Sequence, residues 1–468
     1  MQRRIGAVAE YRIEHDLLGD REVPMSAYYG VQTVRALENF KVSNVAISHY
    51  PELIRALGYI KKACALANLE CKIMEKEVAQ AIAKACDEVI EGKLDDQFPV
   101  DAVQGGAGTS TNMNANEVVA NRALEHMGKE KGDYKFVHPN NHVNMSQSTN
   151  DVYPTSLRLA TAWMLDQLVE EVDHLQKALK EKSREFADVL KMGRTQLQDA
   201  VPMTLGQEFG AYSAMIEEEI VKIRRVQKQL YTVNMGATAI GTGITAPKGY
   251  DAVVTRHLAK LTDLPLVLAA NLVKATQDAG DFVEVSTTVK RLAVKTSKIC
   301  NDLRLLSSGP RTGIGEISLP PKQPGSSIMP GKVNPVIPEV VNQVAFEVIG
   351  NDMTITMAAE AGQLELNVME PMLAFKLFNS ILHFKRVLRI LTDQCVVGIV
   401  ANRERCRSLM ENSIGLVTAL VPRLGYELCS DIAKKAQDEG GSVYEIVLSG
   451  GYLSKEELDD ILSPEHML

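Results

Sequence analysis

Three long stretches in the middle of the chain carry apolar side chains at helical spacing, and this feature restricts the fold more than any other. The stripes are Leu165, Leu168, Val172, Leu175, Leu179, Phe186 and Val189; Ile216, Ile220, Ile223, Val226 and Leu230; and Val285, Val289, Leu292, Ile299, Leu303 and Leu306. Spacings of three and four residues place each set on one face of an α-helix. Because a helix rises about 1.5 Å per residue, helices of this length must lie side by side in a long bundle.

The stretches on either side of this bundle differ from it. The N-terminal part mixes shorter helical patterns with polar connections rich in Asn, Gly and Pro at 96–116 and 128–150. From about residue 400 short helical patterns return, separated by pairs of glycines. We therefore predict a mainly α protein with three domains: an N-terminal helical domain (1–149), a central long-helix bundle (150–399) and a small C-terminal helical domain (400–468).

Small residues lie on several faces of the helical stretches, in addition to the apolar stripes. They include Ala269, Ala270, Ala275, Ala345, Ala358 and Ala359. Together with the stripes they present more apolar surface than a single core uses, and self-association would bury the remainder. The sequence therefore predicts an oligomer.

Charge, hydropathy and cysteine usage exclude several classes of partner. The net charge is −8 and no block of Lys and Arg stands out, which argues against nucleic acid. No run of about 18 apolar residues occurs, so we expect no membrane partner. The seven cysteines are scattered and show no Cys-x-x-Cys pair, which favours free, mostly buried thiols in a reducing cytoplasm.

Residues 325–335 are the stretch most suggestive of chemistry. They read Gly-Ser-Ser-Ile-Met-Pro-Gly-Lys-Val-Asn-Pro. The glycines and prolines forbid a regular helix, while Lys332 adds one cation to a backbone that can offer N–H groups and hydroxyls. Such a composition is typical of a mobile loop that closes on an anion.

Three further stretches are more polar than a helical protein requires: 105–114 (Gly-Gly-Ala-Gly-Thr-Ser-Thr-Asn-Met-Asn), 142–151 (His-Val-Asn-Met-Ser-Gln-Ser-Thr-Asn-Asp) and 193–199 (Gly-Arg-Thr-Gln-Leu-Gln-Asp). A single Ser, Thr or Asn in each could simply cap a helix. A cap explains one polar side chain per stretch, but not three or four in succession. We interpret the three stretches as neutral hydrogen-bonding groups gathered at helix N-termini to hold an anion.

Other motifs do not support a function. The glycine-rich run 236–243 follows no predicted strand and opens no βαβ unit, so we reject a dinucleotide site. The run 105–110 lacks the lysine of a phosphate-binding loop. Glu217, Glu218 and Glu219 lie beside three cationic residues and are interpreted as a solvated helix face. No pair of histidines has the spacing of a metal site.

Taken in order, the four polar stretches resemble the aspartase/fumarase superfamily over essentially the whole chain. Its members cleave C–N or C–O bonds to release fumarate. Two features resemble the aspartase branch: Gln196 stands where class II fumarases have histidine, and residues 334–346 and 366–371 follow the aspartase pattern. The resemblance thus implies an ammonia-lyase that converts L-aspartate reversibly to fumarate and ammonia.

Two alternatives remain open at the level of sequence. One is a class II fumarate hydratase, which would add water to fumarate instead of ammonia. The other is a non-catalytic structural member of the superfamily, such as a lens protein. The presence of Ser326, Lys332 and Asn334 argues against the structural alternative, because a scaffold would not need them.

The resemblance also implies a role for particular residues. Ser326 matches the general base, and Lys332 and Asn334 would stabilise the dianionic aci-carboxylate that forms when the C3 proton is removed. The residues that match substrate-binding positions are Thr109, Ser148, Thr149, Asn150, Thr195 and Gln196. His142 and Glu339 are reserve candidates for a base or relay, although a packed, hydrogen-bonded role is favoured for each.

The family further implies a homotetramer whose four chains form one central bundle. Each active site would then draw its polar stretches from three subunits, which would explain how stretches separated by long rigid helices can meet. The resemblance implies no required organic cofactor and no metal ligand, and it leaves open whether Mg²⁺ activates the enzyme.

Overall fold

Helices make up most of the chain, as a computed structural model of residues 10–463 describes it. The α-helices are α1 (Val31–Asn39), α2 (Pro51–Glu70), α3 (Lys76–Ile90), α4 (Thr109–His126), α5 (Thr149–Glu185), α6 (Leu205–Gln227), α7 (Tyr250–Thr262), α8 (Leu272–Gln277), α9 (Gly280–Leu306), α10 (Val336–Glu360), α11 (Glu370–Gln394), α12 (Arg403–Glu411), α13 (Val417–Leu424), α14 (Tyr426–Glu439), α15 (Val443–Ser449) and α16 (Lys455–Ile461). The predicted mainly α class is confirmed.

The strands are short and form four two-stranded sheets. They are β1 (Tyr11–Asp16), β2 (Gly19–Pro24), β3 (Leu190–Thr195), β4 (Gln198–Thr204), β5 (Thr232–Val233), β6 (Val267–Leu268), β7 (Ile317–Ser318) and β8 (Val400–Ala401). β1 pairs with β2, β3 with β4 and β7 with β8 in antiparallel fashion, while β5 and β6 are parallel. Of these, the β3–β4 hairpin carries predicted site residues.

The chain segments group into two compact units. Among the described residues, the first unit contains 10–168, Lys222–Lys290 and Val348–Leu382, and the second contains Val169–Val221, Arg291–Glu347 and 383–463. The division into domains 1–149, 150–399 and 400–468 stays a prediction.

Five long helices, α5, α6, α9, α10 and α11, form the predicted bundle. In the first unit, Gln227 Nε2 on α6 donates to the Ala162 carbonyl on α5 at 2.9 Å. In the second unit, Gln176 Nε2 on α5 donates to Ser213 Oγ on α6 at 3.0 Å. Polar bonds of this kind between packed helices fix which helix faces meet, because each buried donor needs a partner.

The other helices of the bundle are joined in the same way. Within the first unit, Asn351 Nδ2 on α10 donates to Ser380 Oγ on α11 at 3.1 Å. Within the second unit, Asn342 Nδ2 on α10 donates to Ser297 Oγ on α9 at 2.8 Å. The sequence pattern had revealed three of these five helices as apolar stripes.

The first and third stripes are buried throughout, as predicted. The second differs at one position: Ile220 is half-buried, and the neighbouring Glu219 is fully buried instead. Glu219 Oε1 lies 2.6 Å from Arg291 Nη2 and 2.7 Å from Lys295 Nζ, both on α9. The interpretation of Glu219 as part of a solvated face was therefore wrong, because two cations on the adjacent helix allow its carboxylate to be buried.

The polar connection predicted at 96–116 ends earlier than expected, because α4 begins at Thr109. Asn112, Asn114 and Asn116 are buried within this helix. Asparagine is a poor helix former, so its repeated use inside a buried helix reflects hydrogen bonding to neighbouring segments rather than propensity.

One smaller expectation is also confirmed. All seven cysteines are free and six of them are buried. Within residues 10–463, no helix combines the length and the apolar character needed to cross a bilayer.

Candidate active site

The signature loop, residues 325–335, is closed by two hydrogen bonds at its ends. Gly325 N donates to the Lys332 carbonyl at 2.7 Å, and Asn334 Nδ2 donates to the Gly325 carbonyl at 2.8 Å. A Cβ on residue 325 would lie 2.7 Å from the Lys332 oxygen and 2.8 Å from Asn334 N. Only glycine fits this approach, since the atoms in the way belong to the backbone.

Ser326 lies inside the loop with two backbone donors directed at its hydroxyl oxygen. Met329 N donates to Ser326 Oγ at 2.9 Å and Ile328 N donates at 3.2 Å. Donors that point at an oxygen favour its negatively charged form. This geometry therefore suits a serine that loses its proton during the reaction.

Lys332 is exposed at the opposite end of the loop. Its ammonium has no hydrogen bond or ion pair with any described residue. Together with Ser326 it lines a cavity of 480 Å³. A cation beside such a cavity is free to pair with an anionic ligand.

Thr195 and Gln196 lie at the tip of the β3–β4 hairpin. Gln196 and Leu197 adopt φ angles of 54° and 62°, which is typical of a tight two-residue hairpin turn. Thr195, Gln196 and Leu197 are all exposed. The prediction that the stretch 193–199 lies at a helix N-terminus was therefore wrong, because the turn places it on a hairpin.

The stretch 105–114 brings the chain into α4 through an unusual backbone. Gly106, Ala107 and Gly108 have φ angles of 91°, 56° and 88° in succession. A Cβ on Gly108 would come within 2.4 Å of the Tyr153 ring, so residue 108 must be glycine both for its conformation and for space. As a result Thr109 is exposed at the first turn of α4, where its hydroxyl donates to the Gly106 carbonyl at 2.7 Å.

Ser148, Thr149 and Asn150 form the start of α5. Ser148 Oγ accepts from Asn150 N at 3.2 Å, Asn112 Nδ2 donates to Thr149 Oγ1 at 3.0 Å, and Asn150 Nδ2 donates to the Ala239 carbonyl at 2.7 Å. The second of these bonds joins α4 to α5. The stretches 105–114 and 142–151 are therefore in direct contact in the first unit.

Asp151 holds the start of α5 in place. Its buried carboxylate accepts from Ser148 N at 3.0 Å and from Thr238 N at 2.9 Å. Burial raises the pKa of Asp151 to about 6, although these donors oppose the shift. The glycine-rich run 236–243, in which no function was found from the sequence, thus anchors the start of α5.

Lys61 is a residue of this site that sequence reasoning missed. Its fully buried ammonium donates to Asn112 Oδ1 at 2.7 Å, Gln147 Oε1 at 2.8 Å and Asn144 Oδ1 at 3.2 Å. Burial lowers the pKa of Lys61 to about 8. Lys62 is the next residue in the sequence, and its Nζ lies 2.5 Å from Asp87 Oδ1. Nothing in the sequence pattern indicates which of these two lysines is buried.

The two reserve candidates have different surroundings. His142 Nδ1 accepts from His138 N at 2.8 Å, and burial lowers the pKa of His142, which favours its neutral form. Glu339 is half-buried in the first turn of α10.

The predicted site residues thus form two groups. Thr109, Ser148, Thr149 and Asn150 belong to the first unit, and Thr195, Gln196, Ser326, Lys332 and Asn334 belong to the second. Within the second unit, no hydrogen bond between described residues joins the hairpin tip to the signature loop.

Glu370, at the start of α11, gives a testable pH dependence. Burial raises the pKa of its carboxyl from 4.5 to about 8, and no hydrogen bond from a described residue opposes this. The folded protein therefore keeps this proton where the unfolded chain releases it. Stability from Glu370 should be present below pH 4.5 and be lost as the pH rises to about 8.

Between these two pH values, the free energy of unfolding of the Glu370→Gln variant should fall less than that of the unmodified protein. We expect a difference on the order of a few kcal/mol. Thermal unfolding of both proteins over this pH range measures the difference. Glu365→Gln serves as the control, because Glu365 is exposed five residues earlier. Equal slopes for the Glu370 variant and the unmodified protein would contradict the expectation.

The sequence matches known families over most of its length. Residues 19–350 match the lyase family, and residues 416–468 match the fumarase C C-terminal family. An aspartate ammonia-lyase of Pseudomonas aeruginosa is 58% identical over 462 residues, which cover 98% of this chain and 98% of the relative. An aspartate ammonia-lyase of Escherichia coli K12 is 55% identical over 458 residues, 98% of this chain and 96% of the relative.

Solved structures show the same similarity. The fumarate lyase:delta crystallin from Brucella melitensis, bound to cobalt, has a TM-score of 0.95 and 53% sequence identity, covering 98% of this chain and 99% of its own. The class II fumarase from Schistosoma mansoni has a TM-score of 0.91 and 36% identity, covering 97% of this chain and 98% of its own.

Proposed function

The chain belongs to this lyase family, and from that premise we propose that it is an aspartate ammonia-lyase, a carbon–nitrogen lyase that converts L-aspartate reversibly to fumarate and ammonia. The structural observation that carries the proposal is the signature loop, where two N–H groups point at Ser326 Oγ beside the ammonium of Lys332, which pairs with none of the described residues. These are the groups that a carbanion-forming elimination needs: a base and a countercharge.

The first step is removal of the C3 proton by Ser326. A serine hydroxyl is a weak base in water, so the step needs the alkoxide, which the Ile328 and Met329 N–H groups stabilise. It also needs the loop to close over the substrate and exclude solvent. The proton moves to Ser326 Oγ. The electron pair of the C3–H bond passes into the adjacent carboxylate, which becomes a dianionic aci-carboxylate.

Lys332 and Asn334 stabilise this dianion. The charge that develops on the carboxylate is greater in the transition state than in bound aspartate, so a fixed cation and an amide donor lower the barrier rather than merely tightening binding. The aci-carboxylate then collapses, a C2–C3 double bond forms, and the C2–N bond breaks. Nitrogen keeps the bonding pair and leaves as ammonia, because the substrate amine arrived as ammonium.

The remaining polar residues bind the substrate. Thr109, Ser148, Thr149 and Asn150 supply neutral hydroxyl and amide groups for a carboxylate and the amino group, and Thr195 and Gln196 hold the other carboxylate. Gln196 does not titrate, so no proton relay passes through that position.

An exposed apolar stripe on α10 supports the proposed homotetramer. Phe346, Ile349, Met353 and Met357 follow one another at spacings of three and four residues, and all four are exposed. A stripe of this kind resembles a coiled-coil seam that lacks its partner helix. In the proposed tetramer it packs against other copies of the chain, and each active site is shared between subunits.

The enzyme as proposed is cytoplasmic and needs no organic cofactor. The family resemblance leaves open whether Mg²⁺ activates it. Among residues 10–463 no group of three or more potential ligands is arranged to hold a metal ion, and no step above passes through one.

A direct assay tests the proposed function. Purified protein is mixed with L-aspartate while the absorbance of fumarate and the release of ammonia are followed together, and the reverse reaction is run with fumarate and ammonium. We expect both products in equal amounts. Hydration of fumarate to malate without any release of ammonia from aspartate would assign the protein to the fumarate hydratases instead.

A further inference from the structure

A buried ion cluster lies along β3 of the β3–β4 hairpin. Glu316, which is fully buried, accepts from Arg194 Nη1 through Oε1 at 2.9 Å, and its Oε2 lies 2.9 Å from Lys191 Nζ. Lys191 also donates to Glu208 Oε2 on α6 at 2.6 Å. Both cations belong to β3, so a single carboxylate is joined to the hairpin at two points.

The backbone holds Glu316 in place independently of the hairpin. Glu316 N donates to the Leu306 carbonyl at the end of α9, and its own carbonyl accepts from Asn402 N, each at 2.9 Å. The next two residues form β7, which pairs with β8. The chain then continues through residues 319–324 into the signature loop. Glu316 is therefore a fixed point in the segment that leads to that loop.

The hairpin has need of such an anchor. A two-stranded hairpin is marginally stable by itself, and its tip, which carries Thr195 and Gln196, is exposed. On β4 the described anchor is Ser413 Oγ, which donates to Asp199 Oδ2 at 2.7 Å. On β3 the anchor nearest the tip is Arg194, directly before Thr195, whose guanidinium donates to Glu316.

We propose that Glu316 is a positioning residue of the active site, which acts through Lys191 and Arg194 to fix the position of the hairpin tip relative to the segment that leads into the signature loop. Buried ion pairs add little net stability relative to apolar packing. They do fix the relative orientation of the segments that carry the charges, because each charge needs a partner in one geometry. Glu316 touches no substrate. Its effect reaches the substrate through Thr195 and Gln196, and the inference rests on the role proposed above for those two residues.

The test is a double-mutant cycle on the full-length protein with L-aspartate as substrate. Glu316→Gln keeps the side-chain shape and removes the charge. We expect it to lower kcat/KM about tenfold, mainly through a higher KM, because Gln196 holds the carboxylate that takes up no charge in the reaction. In a background that carries both Thr195→Val and Gln196→Ala, the same substitution should lower kcat/KM less than about threefold, since the residues through which Glu316 acts are gone.

Glu219→Gln provides a matched control. Glu219 is also fully buried and also pairs with one arginine and one lysine, but it joins α6 to α9 away from the hairpin. We expect a loss of thermal stability comparable to that of the Glu316 variant, with KM changed less than about twofold. An equal rise in KM for both variants would assign Glu316 a purely structural role.

Two further outcomes decide the inference. An equal loss from Glu316→Gln in both backgrounds would overturn it, because independent effects add. If Glu316→Gln does not fold, Arg194→Gln takes its place in the same cycle, since it leaves the Glu316 and Lys191 pair intact. The unmodified protein is assayed first, so absence of aspartate turnover there would count against the proposed function and not against the positioning role.

Discussion

The Ser326→Ala variant should release fumarate from L-aspartate about 10²- to 10⁴-fold more slowly than the unmodified protein, with KM changed far less. The alanine removes the proposed base but leaves the loop closure by Gly325 and Asn334 intact. Substrate binding therefore persists while proton abstraction fails. Steady-state kinetics with aspartate measure both constants.

Ser327→Ala is the matched control for this variant. Ser327 is the next residue, also a serine, and exposed, but no backbone N–H of a described residue is directed at its hydroxyl. We expect its kcat to stay within about threefold of the unmodified protein. If Ser326→Ala retained near-normal turnover, or if the two variants were equally impaired, the base would have to be another group.

Mixing two inactive variants should restore activity if the site is shared between subunits. Ser326→Ala and Thr149→Val each remove one proposed function, on the signature loop and at the start of α5 respectively. If a site takes these residues from different chains, random exchange in an equal mixture gives about one site in four with both groups intact. Recovery of about a quarter of the unmodified activity is therefore expected from two preparations that are each almost inactive.

The exchange needs its own control. Subunits carrying two different tags are mixed under the same conditions, and mixed tetramers are captured through one tag and detected through the other. A second mixture pairs Ser326→Ala with Lys332→Ala, whose positions share one loop and hence one chain. We expect this pair not to recover. If exchange is demonstrated but the Ser326 and Thr149 variants fail to complement, each chain builds its own site.

Much of the fold could be read from the apolar pattern. The first and third stripes are buried as predicted, because a spacing of three and four residues leaves an amphipathic helix one way to bury its apolar face. The second stripe departs from this pattern, because Glu219 is buried in place of Ile220. Its burial depends on Arg291 and Lys295, which lie on a different helix more than 70 residues away in sequence, and periodicity within one helix cannot reveal that partner.

The candidate site was predicted less completely. The loop containing Ser326 and Lys332 was recognised because its residue order is distinctive, and the stretches 105–114 and 142–151 do contact each other through Asn112 and Thr149. The role of Lys61 was missed, since a lysine in an apolar helix is usually exposed and only its three amide partners explain its burial.

The sequence by itself determined the class of fold, three of the five long helices, the family and the types of side chain that could perform an elimination. These properties are local, because helical periodicity and the order of residues in a loop are written along the chain. The tertiary structure decided which charges could be buried. Glu316 finds Lys191 and Arg194, and Lys61 finds Asn112, Asn144 and Gln147, only after distant segments have packed together. Burial of a charge depends on partners supplied by other elements, and no local pattern specifies those partners.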